Sequence, residues 1–373
     1  MKILYVTTVG LTMRFFESLI LELINDGNVV DIACNESSSK VDDIYRELGC
    51  NVYQIGCSRS PLSKNNLMAI KEIRKIVVEN NYDVVHCHTP IAGVATRLAC
   101  RKLRKNGLKV FYTAHGFHFF DGAPLKNWLI YYPIEKFLSR FTDVLITINK
   151  EDYERAKKFF HAKETYYIHG VGFDTSKFAN CIVDRNKKLK EIDVDNNAFI
   201  LLSVGELHDR KNHQIVIEAL NQLKDTNIVY IIAGSGINQS KYERLISEYG
   251  LQKNIKIIGF REDINELCKA VDCFVHPSIR EGLGIAPLEA MASGLPLIAA
   301  YVNGIKDYAV DGITGRCVDP RNVNQMCYAI LELKNNNDFR KACAENNIEI
   351  ARQFDQKISN EEMKNIYHSV MDE

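Results

Sequence analysis

The stretch Asp272-Cys-Phe-Val-His276-Pro-Ser-Ile-Arg280-Glu-Gly-Leu-Gly284-Ile-Ala-Pro-Leu-Glu289-Ala-Met-Ala-Ser-Gly294-Leu-Pro-Leu297-Ile-Ala-Ala300 spells out a strand, a glycine loop, a helix and a second strand in succession. A short apolar run ends at His276-Pro277-Ser278, and Gly282 and Gly284 loosen the loop that follows. Pro287 is expected at the first helical position, where its missing N–H is no loss. Ala290-Met291-Ala292-Ser293 continue the helix until Gly294 stops it, and Leu297 opens the next strand. A strand returning to a strand through a helix reads as a parallel unit.

The same alternation fills the chain. Strands are expected at 2–7, 28–34, 52–55, 83–87, 108–113 and 143–147, and again at 199–204, 228–233, 255–259, 272–276 and 297–300. Helical periodicity falls between them, for example at Phe15–Leu23, Leu67–Glu79, Gln214–Leu223 and Ile264–Ala270. The pattern predicts α/β architecture with parallel sheets covered by helices on both faces. It occurs twice, with the polar stretch Asp184–Asn197 dividing the runs. Two doubly wound domains are therefore expected, 1–180 and 181–356, their sheets facing across a cleft with the strand carboxyl ends turned toward it. A last helical pattern, about 357–373, follows a break near Phe354-Asp355 and is expected to pack back on the first domain.

At 373 residues, 46% hydrophobic and 25% charged, the chain is long enough for two cores without staples. The formal net charge of zero gives no argument for nucleic-acid binding. Residues 1–170 carry more basic than acidic groups, which is compatible with an anionic acceptor or membrane surface and equally with a solvated face. Eleven cysteines are scattered with no C-x-x-C pair, and they read as reduced thiols in apolar runs rather than a zinc site. Met1-Lys2 runs straight into Ile3-Leu4-Tyr5-Val6, with no apolar segment long enough for a signal peptide or membrane span. The expected location is the cytoplasm, or the cytoplasmic face of the membrane as a peripheral protein.

Chemistry is expected around the glycine loop. A glycine turn feeding a helix N-terminus presents free N–H groups and a positive dipole end, which suits a diphosphate. Glu281 and Glu289, if both helical, would stand roughly 12 Å apart along the axis, too far for an acid/base pair. Placed in the loop and in the first helical turn, they can flank one extended ligand, because carboxylates accept from vicinal hydroxyls. The plainer alternative is a Glu289 that complements the helix dipole beside a solvated Glu281. Other residues also divide between two readings. Lys211 is either a diphosphate ligand or a loop lysine. His115, at a strand end in Tyr112-Thr113-Ala114-His115-Gly116, is either a ligand contact or a satisfied structural histidine. Phe260 is either a site residue or a core aromatic. The pair His86-x-His88 has no third residue at metal spacing, and Asp193-Val194-Asp195 sits in the charged dividing stretch and reads as linker.

Glu281-Gly-Leu-Gly-Ile-Ala-Pro-Leu-Glu289-Ala-Met-Ala-Ser-Gly-Leu-Pro resembles the E-x7-E donor motif of the retaining GT-B glycosyltransferases of family 4. The resemblance implies a GT-B fold, with Glu281 on the transferred sugar, Glu289 on the nucleotide ribose, and Gly282, Leu283, Gly284 and Ile285 lining the sugar and diphosphate. Ser203-Val-Gly205-Glu-Leu-His-Asp-Arg210-Lys211-Asn212 resembles the family's V-G-R-L-x-x-x-K-N segment, which gives Lys211 the diphosphate. Glu206 replaces the family's arginine, so a cation is missing that Arg210 or Arg280 would have to supply. Ile232-Ala-Gly234-Ser-Gly236 resembles the A-G-x-G turn. Gly259-Phe260-Arg261-Glu-Asp263 resembles the loop that frames the base. His115 matches a histidine close to the donor sugar, and Gly10 matches the turn near the phosphates.

By resemblance, then, the catalytic residues are His115, Lys211 and Glu281, with no metal or other cofactor. The donor is a UDP-sugar and the acceptor a lipid-linked saccharide, with a hexose or N-acetylhexosamine transferred with retention. Phe117-His-Phe-Phe-Asp-Gly-Ala-Pro-Leu-Lys-Asn-Trp128-Leu-Ile-Tyr-Tyr-Pro-Ile-Glu-Lys-Phe137 resembles a segment of transferases that build capsular or exopolysaccharide repeat units on polyprenyl-diphosphate carriers. It reads either as an interfacial aromatic surface or as an interior helix. Two other functions stay open: a GT-B nucleotide-sugar 2-epimerase, and a non-catalytic nucleotide-sugar-binding partner subunit.

Overall fold

The computed structural model describes residues 1–371 and divides into two units, one formed by Met1–Val171 with the segment from Lys357 onward, the other by Gly172–Gln356. The first unit is built on seven strands: β1 (Lys2–Val9), β2 (Val29–Asn35), β3 (Val52–Gln54), β4 (Val84–His88), β5 (Lys109–Ala114), β6 (Val144–Thr147) and β7 (Glu164–Tyr167). All are parallel, in the order β3-β2-β1-β4-β5-β6-β7. The second unit has six strands: β8 (Phe199–Val204), β9 (Ile228–Ala233), β10 (Ile255–Gly259), β11 (Cys273–His276), β12 (Leu297–Ala300) and β13 (Gly315–Val318). They are again parallel, in the order β10-β9-β8-β11-β12-β13. Runs such as Ile3–Val6 and Ile200–Leu202 are buried completely, as expected of strands covered by helices on both faces. In both sheets the winding reverses beside the first strand, between β1 and β4 and between β8 and β11, where a doubly wound sheet opens a crevice for ligands.

The structure corrects several readings. β7 and β13 were not expected, because Glu164-Thr-Tyr-Tyr is a half-exposed edge and Gly315-Arg-Cys-Val is too short to carry a signal. Asp184–Asn197 is not a divider. It contains a helix, Arg185–Glu191, whose N-cap Asp184 accepts from the Lys187 amide. Lys188 on that helix is buried among Glu191, Asp263 and Glu266, tying the segment into the second unit. Asp193 pairs with Lys256 and Val194 is buried. The second unit begins at Gly172, ahead of the expected division at 180/181, since Phe173 pairs with Asp355 and the helix Thr175–Ala179 packs on the helix Ile285–Ala292.

The helix Gln356–Met371 closes the first unit. Asn360 donates to Ser18 and Glu22, Lys364 pairs with Glu22 and Asp26, and the Tyr367 hydroxyl meets the Tyr5 hydroxyl and the Nδ1 of His86. Residues 372 and 373, included in the expected helix, lie outside the described residues.

The aromatic stretch matches neither of its two readings as a whole. Phe117, Phe119 and Phe120 are buried, and Trp128, Tyr131 and Tyr132 pack against the core. The helix Leu125–Leu138 turns Leu125, Leu129, Ile130, Ile134 and Phe137 outward. Its inner side is fixed by Glu135, which holds the buried Arg97 guanidinium at 2.8 Å.

Candidate functional site

The chemistry-bearing residues of the second unit gather at its switch point. The segment leaving β8 forms a short turn, Asp209–Lys211, ending in Asn212 with φ of 56°. Contacts stitch it to the segments leaving β11 and β13. The Ile279 N–H donates to the Arg210 carbonyl at 2.9 Å, and the Asn212 amide donates to the carbonyls of Pro277 and Pro320 at 3.1 and 2.8 Å. This brings two cations onto one carboxylate. Arg210 Nη1 lies 2.6 Å from Glu281 Oε2, and Lys211 Nζ lies 3.1 Å from Oε1.

Glu281 is only 8% exposed. Burial alone would raise its carboxyl, but the Lys211 and Arg210 charges outweigh burial and hold it below the usual range. His276 beneath is pushed down to about 3, chiefly by burial and then by Lys211, so it is neutral at neutral pH. The cluster carries net positive charge and is built for an anion.

The glycines serve close approach. A Cβ on Gly205 would stand 3.2 Å from the Lys211 Cε, so the bare backbone leaves room for the lysine stem. One on Gly234 would fall 1.9 Å from the Gly205 carbonyl oxygen, which locks the exits of β8 and β9 together. Gly284, with φ of 82°, caps the helix Ile285–Ala292.

That helix starts at Ile285, two positions before the expected start at Pro287. Pro287 therefore occupies the third position, still within the first turn, where a backbone N–H would have no intrahelical acceptor and its absence costs nothing. Glu289 consequently falls beyond the first turn. It is half-buried, its carboxylate makes no hydrogen bond among the described residues, and burial, opposed by Lys177, pushes it up to about 7.

The loop is braced by residues the sequence did not single out. Tyr308 Oη donates to the carbonyls of Leu283 and Gly284 at 2.9 and 3.3 Å. The Gly304 N–H donates to the Glu281 carbonyl at 3.3 Å.

The other expected residues divide. Phe260 follows β10 and is 76% exposed, so the core reading fails. Arg261 is spent on Asp263 and Glu191, fixing the loop against the helix Arg185–Glu191. Glu206 is exposed. Of the two arginines that could replace a cation there, Arg210 joins the cluster, and its Nη1 also donates to the Arg280 carbonyl at 3.2 Å.

In the first unit, Gly10 leaves β1 so close to the chain at Ser39–Val41 that a Cβ would fall 2.4 Å from the Ser39 carbonyl oxygen. His115, at the end of β5, joins His86 and His88 from β4. His88 Nδ1 meets His115 Nε2 at 3.2 Å. His86 is held on both ring nitrogens, by the Tyr367 hydroxyl at 2.5 Å and the Thr113 hydroxyl at 2.7 Å. Burial pushes His115 down to about 4 and His86 to about 3, with His88 also well below its ordinary value. All three are therefore neutral at neutral pH. Among the described residues no group of three or more His, Cys, Asp or Glu is arranged to hold a metal ion. A small pocket beside them is lined by Phe16, His88, His115, Val171, Asn360 and Met363.

Two parallel doubly wound units, the second with paired cations on a loop carboxylate and a glycine-capped helix, define the GT-B fold of sugar transferases. The chain belongs to the glycosyltransferases of family 4: residues 184–350 match the group described as "Glycosyl transferases group 1", and residues 2–149 match "Glycosyl transferase 4-like". It is 38% identical over 324 residues to the putative glycosyltransferase EpsD of Bacillus subtilis strain 168, covering 86% of this chain and 85% of that one. It is 28% identical over 312 residues to the Escherichia coli UDP-Gal:alpha-D-GlcNAc-diphosphoundecaprenol alpha-1,3-galactosyltransferase, covering 82% and 79% of the two chains. The crystal structure of Anabaena Alr3699/HepE in complex with UDP has the same fold, with a TM-score of 0.81 at 22% identity over 99% of this chain and 100% of that one. The protein is a transferase enzyme. Among the described residues no helix is long and apolar enough to cross a membrane.

Proposed function

We propose that this enzyme transfers a hexosyl or N-acetylhexosaminyl group, with retention, from a UDP-sugar to a polyprenyl-diphosphate-linked saccharide during assembly of a cell-surface polysaccharide. The observation that carries the reading is the pairing of Lys211 and Arg210 on Glu281 beside the N-terminus of Ile285–Ala292. The E. coli relative is named for a UDP-sugar donor and a diphosphoundecaprenol acceptor, and the HepE structures include UDP-glucose, which supports the substrate classes.

In this reading Lys211, Arg210 and the helix amides take the diphosphate, Glu281 accepts from sugar hydroxyls, and Glu289 accepts from the ribose. The glycosidic C–O bond to the phosphate breaks as the acceptor hydroxyl attacks the same face. The departing phosphate oxygen takes the hydroxyl proton, so no protein nucleophile is required. Fixed donors aimed at the developing phosphate charge supply the main rate term, and Arg210 stands in for the cation that Glu206 removes. The positive cluster performs this neutralisation without a metal. His115 and the Gly10 turn serve the reacting groups from the first unit. The exposed Leu125, Leu129, Ile130 and Phe137 beside Lys126 support a peripheral seat on the cytoplasmic face of the membrane.

Incubation with a panel of UDP-sugars, with and without undecaprenyl-diphosphate-linked N-acetylglucosamine, tests the reading. Acceptor-dependent UDP release is expected. An isomerised donor would establish an epimerase instead, and binding with neither product a non-catalytic subunit.

Glu289 adds a pH signature. With its carboxyl near 7, it is protonated on the acid side and loses acceptor capacity for the ribose hydroxyls. Donor affinity is expected to fall as pH drops through about 7 in the wild type and to stay flat across that range in Glu289→Gln, measured by titration calorimetry. Stability runs the other way. A carboxyl raised by folding favours the fold while protonated, and that contribution is lost as pH rises through the folded value. Glu289→Gln should therefore gain in Tm over the wild type above about pH 7.

A further inference from the structure

His88 has one hydrogen-bonded ring nitrogen and one with no hydrogen-bond partner among the described residues. Its Nδ1 faces His115 Nε2 at 3.2 Å, while its Nε2 is buried without a partner, and the residue is 1% exposed. Its ring is stacked on Tyr5 at 5.3 Å between centroids and covered by Phe16 at 4.2 Å, so it cannot swing toward another acceptor. His86, two residues earlier, is bonded at both nitrogens to hydroxyls and does not compete for His115.

Two neutral arrangements are open to the pair, and they differ in what is left buried. If His115 Nε2 carries the proton, His88 must accept at Nδ1 and bear its own proton on Nε2, which buries an N–H with no acceptor. If His88 Nδ1 carries the proton, the unpartnered atom is a lone pair. Orphaned buried N–H groups are the rarer of the two in folded proteins, and a donor left unmade costs about 1–3 kcal/mol. The second arrangement wins. It forces the His115 proton onto Nδ1, the nitrogen for which no hydrogen bond is found among the described residues.

We propose that His88 is a positioning residue that fixes His115 as the Nδ1–H tautomer, so that His115 offers its ligand a neutral hydrogen-bond donor and not a base. The proposal rests on the reading in which His115 serves the reacting groups, and the ligand chemistry it assigns is an acceptor oxygen, such as a sugar hydroxyl or a phosphate oxygen. It also gives a role to the His86-x-His88 spacing. The first histidine anchors β4 to β5 and to the helix Gln356–Met371, and the second sets the tautomer.

Long-range proton–nitrogen correlation spectra of the ¹⁵N-histidine-labelled enzyme read the tautomer directly. The expected His115 pattern is a protonated Nδ1 and a bare Nε2 at neutral pH; a protonated Nε2 overturns the proposal. Two variants add a functional readout. His88→Asn places an amide N–H where Nδ1 stood and should keep kcat near wild type. His88→Leu should lower kcat by about tenfold, the rate equivalent of one hydrogen bond, with little change in KM for the donor. Equal losses in both variants would mean His88 acts only through packing, and would sink the positioning role. Should His88→Leu fail to fold, the wild-type spectrum still decides. Near-normal turnover in His115→Ala would remove the site reading itself while leaving the spectral result intact, so the two failures are distinguishable.

Discussion

Lys211→Ala and Glu281→Ala should both suppress turnover, but they are expected to move nucleotide affinity in opposite directions. Lys211 is one of two cations on the carboxylate, 3.1 Å from Oε1. If Lys211 holds the leaving diphosphate as proposed, its loss removes a fixed positive charge there, and kcat should fall by about 10²–10³. The Kd for UDP should weaken with it.

Glu281→Ala should lower kcat comparably, because in the proposed function its carboxylate accepts from the sugar hydroxyls. It also frees Lys211 and Arg210 from the group that neutralises them, so UDP should bind more tightly than to wild type. Glu281 is buried and held ionised by those two cations, and a diphosphate must compete with it for them. Steady-state kinetics and calorimetric titration with UDP separate the two effects. Weaker UDP binding in Glu281→Ala would refute the competition, and near-normal rates in both variants would refute the site.

Gly304→Ala should be the most damaging single methyl. A Cβ there would stand 1.8 Å from the Gly282 carbonyl oxygen, and that atom is backbone with no rotamer to yield. The loop carrying Leu283 and Gly284 must move by something near an ångström, while Tyr308 still holds both of their carbonyls. A misplacement of that size costs about a hundredfold in rate. Overpacking costs about 1–3 kcal/mol in stability. The expected outcome is an enzyme with a lowered Tm that still folds, yet whose kcat/KM has fallen far more than the Tm implies. Unchanged kcat/KM would show that the loop does not depend on this contact.

Both units were legible in the sequence because covered parallel strands must be apolar on both faces. Runs such as Ile200-Leu201-Leu202 therefore announce themselves without any partner being known. β7 escaped because an edge strand buries too little to need such a run, and Glu164-Thr-Tyr-Tyr looks like a loop. The start of the helix at Ile285 escaped for another reason. Pro287 is acceptable anywhere in the first turn, so proline marked the turn and not the position.

The order of the site along the chain was readable, and its pairings were not. Nothing local says that Arg210 turns to Glu281, because that follows from the Ile279–Arg210 backbone contact. Gly304 and Tyr308 carry no motif at all, and their importance exists only once the chain has folded back on Gly282–Gly284. Phe260 was ambiguous because an exposed aromatic and a core aromatic look the same in sequence.

The helix Gln356–Met371 has a consequence for how the protein comes into being. During synthesis the residues Met1–Val171 emerge first and Gly172–Gln356 next, yet the first unit needs Asn360, Met363 and Tyr367 to cover Ser18, His88 and His86. Domains generally fold in the order they leave the ribosome. Here the unit begun first is finished after the second: its sheet can form early, but the Tyr5–Tyr367–His86 contact must wait until translation has delivered Tyr367. A chain released after Gln356 would hold every residue of the second unit and an unfinished first one.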